Sequence, residues 1–90
     1  MLELRYHAKF KKDYKLAKKR GCNIDNLKVV IDMLQRQICL PEKYHDHQLS
    51  GKYCNYRECH IEPDWLLIYK IEQKELILTL IRTGTHSDLF

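Results

Sequence analysis

The spacing of apolar residues changes near the middle of the chain, and this change constrains the fold more than any other feature. Before Pro41, apolar side chains recur at helical spacing, and the stripe is broadest at Leu27, Val30, Ile31, Leu34 and Ile38. After residue 55 they alternate with polar residues at the period of a β-strand. Helices followed by consecutive strands predict an α+β fold.

Two helices are predicted in the first half. The first covers residues 8–20, with Gly21 where a left-handed C-terminal cap is expected. The second begins at a cap formed by Asn23 or Asp25, and it continues until Pro41, which cannot continue a helix. Residues 41–55 are polar and are predicted to form a long loop.

The remaining segments predict a sheet. Strands are expected at residues 2–6, 56–62, 65–70 and 75–82, and residues 83–90 form a turn and a short tail. The last strand is apolar on both faces, which suits either a central position or a surface covered by a partner. The predicted architecture is a two-layer α+β sandwich of order β-α-α-β-β-β, with two N-terminal helices on a mainly antiparallel four-stranded sheet.

The length of 90 residues predicts one domain, residues 1–90. No apolar run approaches the roughly 18 residues of a membrane span, and the first residues lack the apolar region of a secretory signal. We therefore expect a cytoplasmic protein without a membrane partner. For the same reason, reduced thiols are expected at Cys22, Cys39, Cys54 and Cys59.

The positive charge is concentrated at the N-terminus. Residues 1–20 contain eight Lys or Arg and two acidic residues, whereas the whole chain has a net charge of +4. Such a patch attracts phosphate backbones over roughly a Debye length, about 8 Å. The alternative is a solvated helix face. Candidate ribosome or RNA phosphate contacts are Lys11, Lys12, Lys15, Lys18 and Lys19.

Three histidines are candidates for acid–base chemistry. His47 lies in the predicted loop, His60 on the polar face of a strand, and His86 just after the last strand, so they can converge at one edge of the sheet. Imidazole suits both the donation and the acceptance of a proton near neutral pH. His7 and His45 are expected to be ordinary surface residues.

Three further residues fit the same chemistry. Asp64 can orient an imidazole, Arg82 can hold a phosphate, and Phe90 can stack on a base. A zinc site is the alternative for His45, His47, Cys54, Cys59 and His60. The sequence has no Cys-x-x-Cys, and the neighbours Cys59 and His60 point to opposite faces of a strand. No metal and no other cofactor is therefore expected.

Three ordered motifs closely resemble the YafQ branch of the RelE/ParE toxin superfamily. They are DHQLSG at residues 46–51, YRECHIEPDWLLIYK at residues 56–70 and RTGTHSDLF at residues 82–90, and FKKDYK at residues 10–15 fits as well. One departure is Tyr53-Cys54-Asn55, where relatives more often have a tryptophan and small residues.

The resemblance implies a ribosome-dependent, metal-independent mRNA endonuclease, the toxin of a type II toxin–antitoxin pair. The implied partners are the ribosome, mRNA and a cognate antitoxin, a dimeric DNA-binding protein whose C-terminal segment wraps the toxin. Its catalytic positions match His47, His60, Asp64 and His86, with Arg82 and Phe90 as phosphate and base contacts. The alternatives are a ParE-like gyrase inhibitor and a non-catalytic RNA- or protein-binding module, neither of which needs paired acid–base groups.

Overall fold

Five strands form one sheet, and two long helices cover one of its faces. The structure is a computed structural model that describes residues 1–90. In chain order the elements are β1 (Glu3–Tyr6), α1 (Ala8–Lys19), α2 (Ile24–Gln35), β2 (His47–Gln48), β3 (Arg57–Glu62), β4 (Trp65–Glu72), β5 (Ile77–Gly84) and α3 (His86–Leu89). The strand order is β1-β5-β4-β3-β2.

The predicted α+β class is confirmed, with two additions. β1 pairs in parallel with β5, and every other neighbouring pair is antiparallel. The sheet has five strands instead of four because the predicted loop contains the two-residue strand β2. The predicted C-terminal tail contains the short helix α3. None of the helices has the length and apolar character needed to cross a membrane.

Both long helices end in the same hydrogen-bond pattern. After α1, the Cys22 N–H donates to the Ala17 carbonyl, and Gly21 has a φ of +78°, as its sequence position predicts. After α2, the Ile38 N–H donates to the Met33 carbonyl, and Gln37 has a φ of +56°. The prediction that α2 continues to Pro41 is therefore wrong, and Ile38 is exposed instead of packed.

The main core lies between the sheet and the two long helices. Its fully buried members include Leu27 and Val30 of α2 and Leu67, Leu78 and Leu80 of the sheet. A smaller cluster on the opposite face contains Leu66, Ile68 and Leu89 of α3. β5 lies between β1 and β4, which accounts for its apolar residues on both faces without a partner.

The ends of α3 and β2 are held by specific local contacts. Thr85 and Asp88 form a reciprocal capping box at the start of α3, and Arg20 binds Asp88 with an Nη1–Oδ2 distance of 2.7 Å. β2 pairs His47 with Glu58 of β3, so His47 lies on a strand and not in an irregular loop. No disulfide joins the four cysteines.

Candidate active site

Four histidines lie together at the β2–β3 edge, on the sheet face that α1 and α2 leave uncovered. The ring centroid of His60 is 5.7 Å from that of His86 and 5.4 Å from that of His45. His45, His47 and His60 line an open cleft of about 840 Å³ at this edge. The structure thus brings the three predicted histidines together and adds His45, which the sequence gave no reason to include.

His86 is held by Asp64 across the end of the sheet. Its Nδ1–H donates to the Asp64 Oδ1 at 3.0 Å, and its backbone N–H donates to the same oxygen at 3.3 Å. The side-chain hydrogen bond is the main reason that the pKa of Asp64 is lowered. Because Nδ1 is occupied, Nε2 is the nitrogen of His86 that remains available for proton transfer.

Glu58 is a buried carboxylate beneath the cluster. The residue is 5% exposed, and its Oε1 lies 3.6 Å from the His47 Nε2 and 3.5 Å from the His60 Nε2. The strand alternation indicated that Glu58 and His60 share a face. The sequence did not indicate its contact with His47, because that contact depends on the pairing of β2 with β3.

The ring of His47 is fixed from its other side. Its Nδ1–H donates to the backbone carbonyl of His45 at 2.7 Å. His45 has a φ of +47°, in the left-handed region that residues other than glycine rarely adopt. This turn directs the carbonyl toward the ring and leaves the His47 Nε2 facing the cleft.

Arg82 is engaged outside the histidine cluster. Its Nε and Nη2 donate to the two carboxylate oxygens of Asp13 in α1, at 2.7 and 3.1 Å. The Thr83 N–H donates to the same carboxylate, and the bond to Asp13 raises the pKa of Arg82. This residue therefore joins α1 to β5, and both hydrogen bonds of its guanidinium go to Asp13.

Phe90 belongs to an exposed aromatic group. It is 60% exposed, and its ring lies 5.8 Å from that of Tyr53 at an interplanar angle of 88°. Tyr53 in turn lies 6.1 Å from Tyr56. Tyr53 stands where the sequence departs from its relatives, and the sequence alone gave it no role.

The lysines of α1 divide between two surfaces. Lys11, Lys15 and Lys18 line a groove of about 560 Å³ between α1 and α2, with Lys28 on its other side. The apolar part of the groove consists of Tyr6, Phe10, Tyr14, Leu27 and Ile31. Lys12 and Lys19 are exposed but lie outside the groove.

One set of side chains could hold a metal ion. Glu58, His60 and His86 each offer one ligand atom, and these atoms lie within 4.8 Å of one another. A carboxylate and two imidazoles suit Zn²⁺ or Cu²⁺, which would act there as a Lewis acid. Cys59 is fully buried in the core on the opposite face, so the structure does not bring the cysteine-containing set together.

Comparisons with known proteins agree over nearly the whole chain. Residues 2–90 match the family described as "Bacterial toxin of type II toxin-antitoxin system, YafQ". The chain is 43% identical over 89 residues to the "mRNA interferase toxin YafQ" of Escherichia coli K12, covering 98% of this chain and 95% of that protein.

Two crystal structures share the fold. The metal-bound toxin from Helicobacter pylori aligns with a TM-score of 0.94 and 42% identity, over 100% of both chains. The toxin in the E. coli DinJ-YafQ toxin-antitoxin complex aligns with a TM-score of 0.89 and 41% identity, over 99% of this chain and 97% of that one.

Proposed function

Because the chain belongs to the YafQ family of bacterial type II toxins, we propose that it is an endoribonuclease that cleaves mRNA on the translating ribosome and so inhibits translation. The observation that carries this proposal is the convergence of His47, His60 and His86 with the carboxylates of Asp64 and Glu58. Such a site holds both a proton acceptor and a proton donor, which a binding module does not need.

RNA carries its own nucleophile, the 2′-hydroxyl, so the enzyme must supply a base for this hydroxyl and an acid for the departing 5′-oxygen. The base is His47 or His60, whose Nε2 atoms face each other across Glu58. The acid is His86, which would donate from Nε2 because Nδ1 is bonded to Asp64. The products are a 2′,3′-cyclic or 3′-phosphate and a 5′-hydroxyl.

Asp64 orients His86 and stabilises its protonated form, since an ionised carboxylate is the acceptor of the Nδ1–H bond. Arg82 supplies positive charge to the phosphorane. To do so it must share its guanidinium between the phosphate and Asp13, which holds two of its nitrogens in the free chain.

Phe90 and Tyr53 form the platform for a base beside the scissile phosphate. Phe90 is exposed and lies near the end of the chain that carries His86. Stacking on an aromatic ring tolerates any base, so this platform would position the nucleotide without selecting a codon.

The basic helix α1 carries the contacts to macromolecular partners. Lys12 and Lys19 would bind ribosomal RNA phosphates, together with the groove lysines Lys11, Lys15 and Lys18. The apolar floor of the groove also suits an acidic, amphipathic segment of a cognate antitoxin. A partner that fills this groove would keep the toxin from the ribosome, and an activity on translated mRNA is cytoplasmic.

The test is primer-extension mapping of an mRNA incubated with purified protein, with and without translating ribosomes. One arm adds EDTA after ribosome binding, and another uses His86→Ala. Cleavage that requires ribosomes, survives the chelator and is lost in the variant supports the proposal. If the active wild-type preparation leaves the mRNA intact in every arm, the endoribonuclease assignment is wrong and gyrase inhibition becomes the next assay.

A further inference from the structure

We propose that Asp46 is a positioning residue, which holds the segment of His45 and His47 against the sheet so that the His47 imidazole is aimed at the cleft. The inference rests on the proposed function of His47. It assigns no contact with substrate to Asp46 itself.

The carboxylate of Asp46 is bound by two strands at once. The Tyr69 hydroxyl of β4 donates to Oδ1, and the Arg57 Nη2 of β3 donates to Oδ2 at 3.1 Å. Tyr69 is 1% exposed and belongs to the main core, so one end of this contact is fixed by the packing of the whole sheet. Burial and the bond to Asp46 both raise the pKa of Tyr69, which therefore remains a neutral hydroxyl donor.

The segment has few other attachments. β2 is two residues long and pairs only with β3, so its ladder alone constrains the position of His47 weakly. The residues before it form a short 3-10 turn, Glu42–Tyr44, that ends at His45. Asp46 therefore provides the side-chain connection between this segment and the interior of the sheet.

The connection reaches His47 through the backbone. Asp46 binds toward the helix-covered face, where Tyr69 lies, while its two neighbours reach the opposite face and His60. With Asp46 held, His45 keeps its left-handed φ of +47° and its carbonyl stays 2.7 Å from the His47 Nδ1. Releasing Asp46 removes the constraint on both the carbonyl and the ring. A displacement of about 1 Å at a catalytic group can cost on the order of 10² in rate.

The test compares Asp46→Asn and Tyr69→Phe with the wild type. We expect Asp46→Asn to lower kcat for ribosome-bound mRNA by on the order of 10², with KM nearly unchanged because the lysine surface is intact. Tyr69→Phe should show a smaller loss of the same kind. The double variant should lose less than the product of the two single losses, since both changes break one contact.

A second readout does not depend on nuclease activity. In ¹⁵N-resolved NMR spectra of the imidazole rings, the His47 signals should report a hydrogen-bonded Nδ1 in the wild type and lose that signature in Asp46→Asn. The His86 signals should stay unchanged, because Asp64 holds that ring independently. If the wild type proved inactive but the His47 signals shifted as expected, the proposed function would fail and the positioning role would stand.

The matched control is Asp32→Asn, which removes a similar carboxylate–arginine pair, to Arg36 at 3.2 Å, from an exposed face of α2. It should leave both readouts unchanged. The proposal is overturned if Asp46→Asn cleaves at the wild-type rate, or if its His47 signals match the wild type. Should Asp46→Asn fail to fold, Tyr69→Phe decides by the same two criteria, because it keeps the aromatic ring in the core.

Discussion

The Nδ1 atom of His86 lies 3.0 Å from the Oδ1 of Asp64, and this pair ties the first residue of α3 to the turn between β3 and β4. The backbone N–H of His86 donates to the same oxygen. The ring and the main chain of one residue are thus fixed by one carboxylate, which leaves the His86 Nε2 with a defined direction toward the cluster.

Removal of the His86 imidazole should be the most damaging single change at the site. A proton-transfer group typically contributes 10² to 10⁴ in rate, so His86→Ala should lose roughly that factor in single-turnover cleavage. Asp64→Asn should lose less, because an amide oxygen can still accept from Nδ1 but carries no charge. A near wild-type rate for His86→Ala would contradict its role as the acid.

The exposed ring of Phe90 should contribute mainly to substrate binding. Base stacking is worth about 1–3 kcal/mol per base, so Phe90→Ala should raise KM by about 5- to 150-fold. Phe90→Trp should retain most of the affinity because it keeps a stacking surface. Equal KM values for the alanine and tryptophan variants, measured on ribosome-bound mRNA, would argue against a stacking role.

The ion pair between Arg20 and Asp88 should make the stability of the fold pH-dependent in acid. The hydrogen bond from Arg20 is the main reason that the pKa of Asp88 lies well below its ordinary value. A lowered carboxylate pKa stabilises the folded state above the unfolded value, about 3.9, and this contribution is lost as the pH falls toward the folded pKa.

The free energy of unfolding should therefore fall more steeply below about pH 4 in the wild type than in Asp88→Asn. Urea unfolding at a series of pH values measures this slope. Arg20→Gln leaves the capping box of α3 intact and should flatten the slope in the same way. Parallel curves for all three proteins would rule out this contribution.

The lysines of α1 should determine how ribosome binding responds to salt. Each phosphate contact that is lost reduces the slope of log affinity against log salt by roughly 0.7 to 0.9. Glutamine substitutions at Lys11, Lys12, Lys15, Lys18 and Lys19 should therefore weaken binding and flatten this slope. Lys74→Gln, at an exposed turn between β4 and β5, is the matched control. An unchanged slope would make α1 an ordinary solvated face.

The sequence carried the information on the fold that depends on periodicity and on glycine. The change from helical to strand spacing predicted the two layers, and Gly21 marked the end of α1 correctly. The end of α2 was missed because Gln37 adopts a left-handed conformation that its side chain does not announce. β2 was missed because two paired residues give no alternation to recognise.

The same distinction applies to the site. Strand alternation placed His60 and Glu58 on one face, and the ends of strands suggested that His47 and His86 would be near. The contacts of Arg82 with Asp13 and of Asp46 with Tyr69 join residues 69 and 23 positions apart. No local pattern encodes such pairs, because they follow from how α1 and the 41–55 segment pack on the sheet.

The most direct test of the central claim uses the nucleophile of the substrate. Once the cleavage position is mapped, an mRNA with a single 2′-deoxynucleotide on the 5′ side of the scissile phosphate is presented on the ribosome beside the all-ribose mRNA. Acid–base cleavage by the histidine cluster requires the 2′-hydroxyl, so the deoxy-substituted mRNA should stay intact while the all-ribose mRNA is cut. Cleavage of both at the same position and rate would contradict the account.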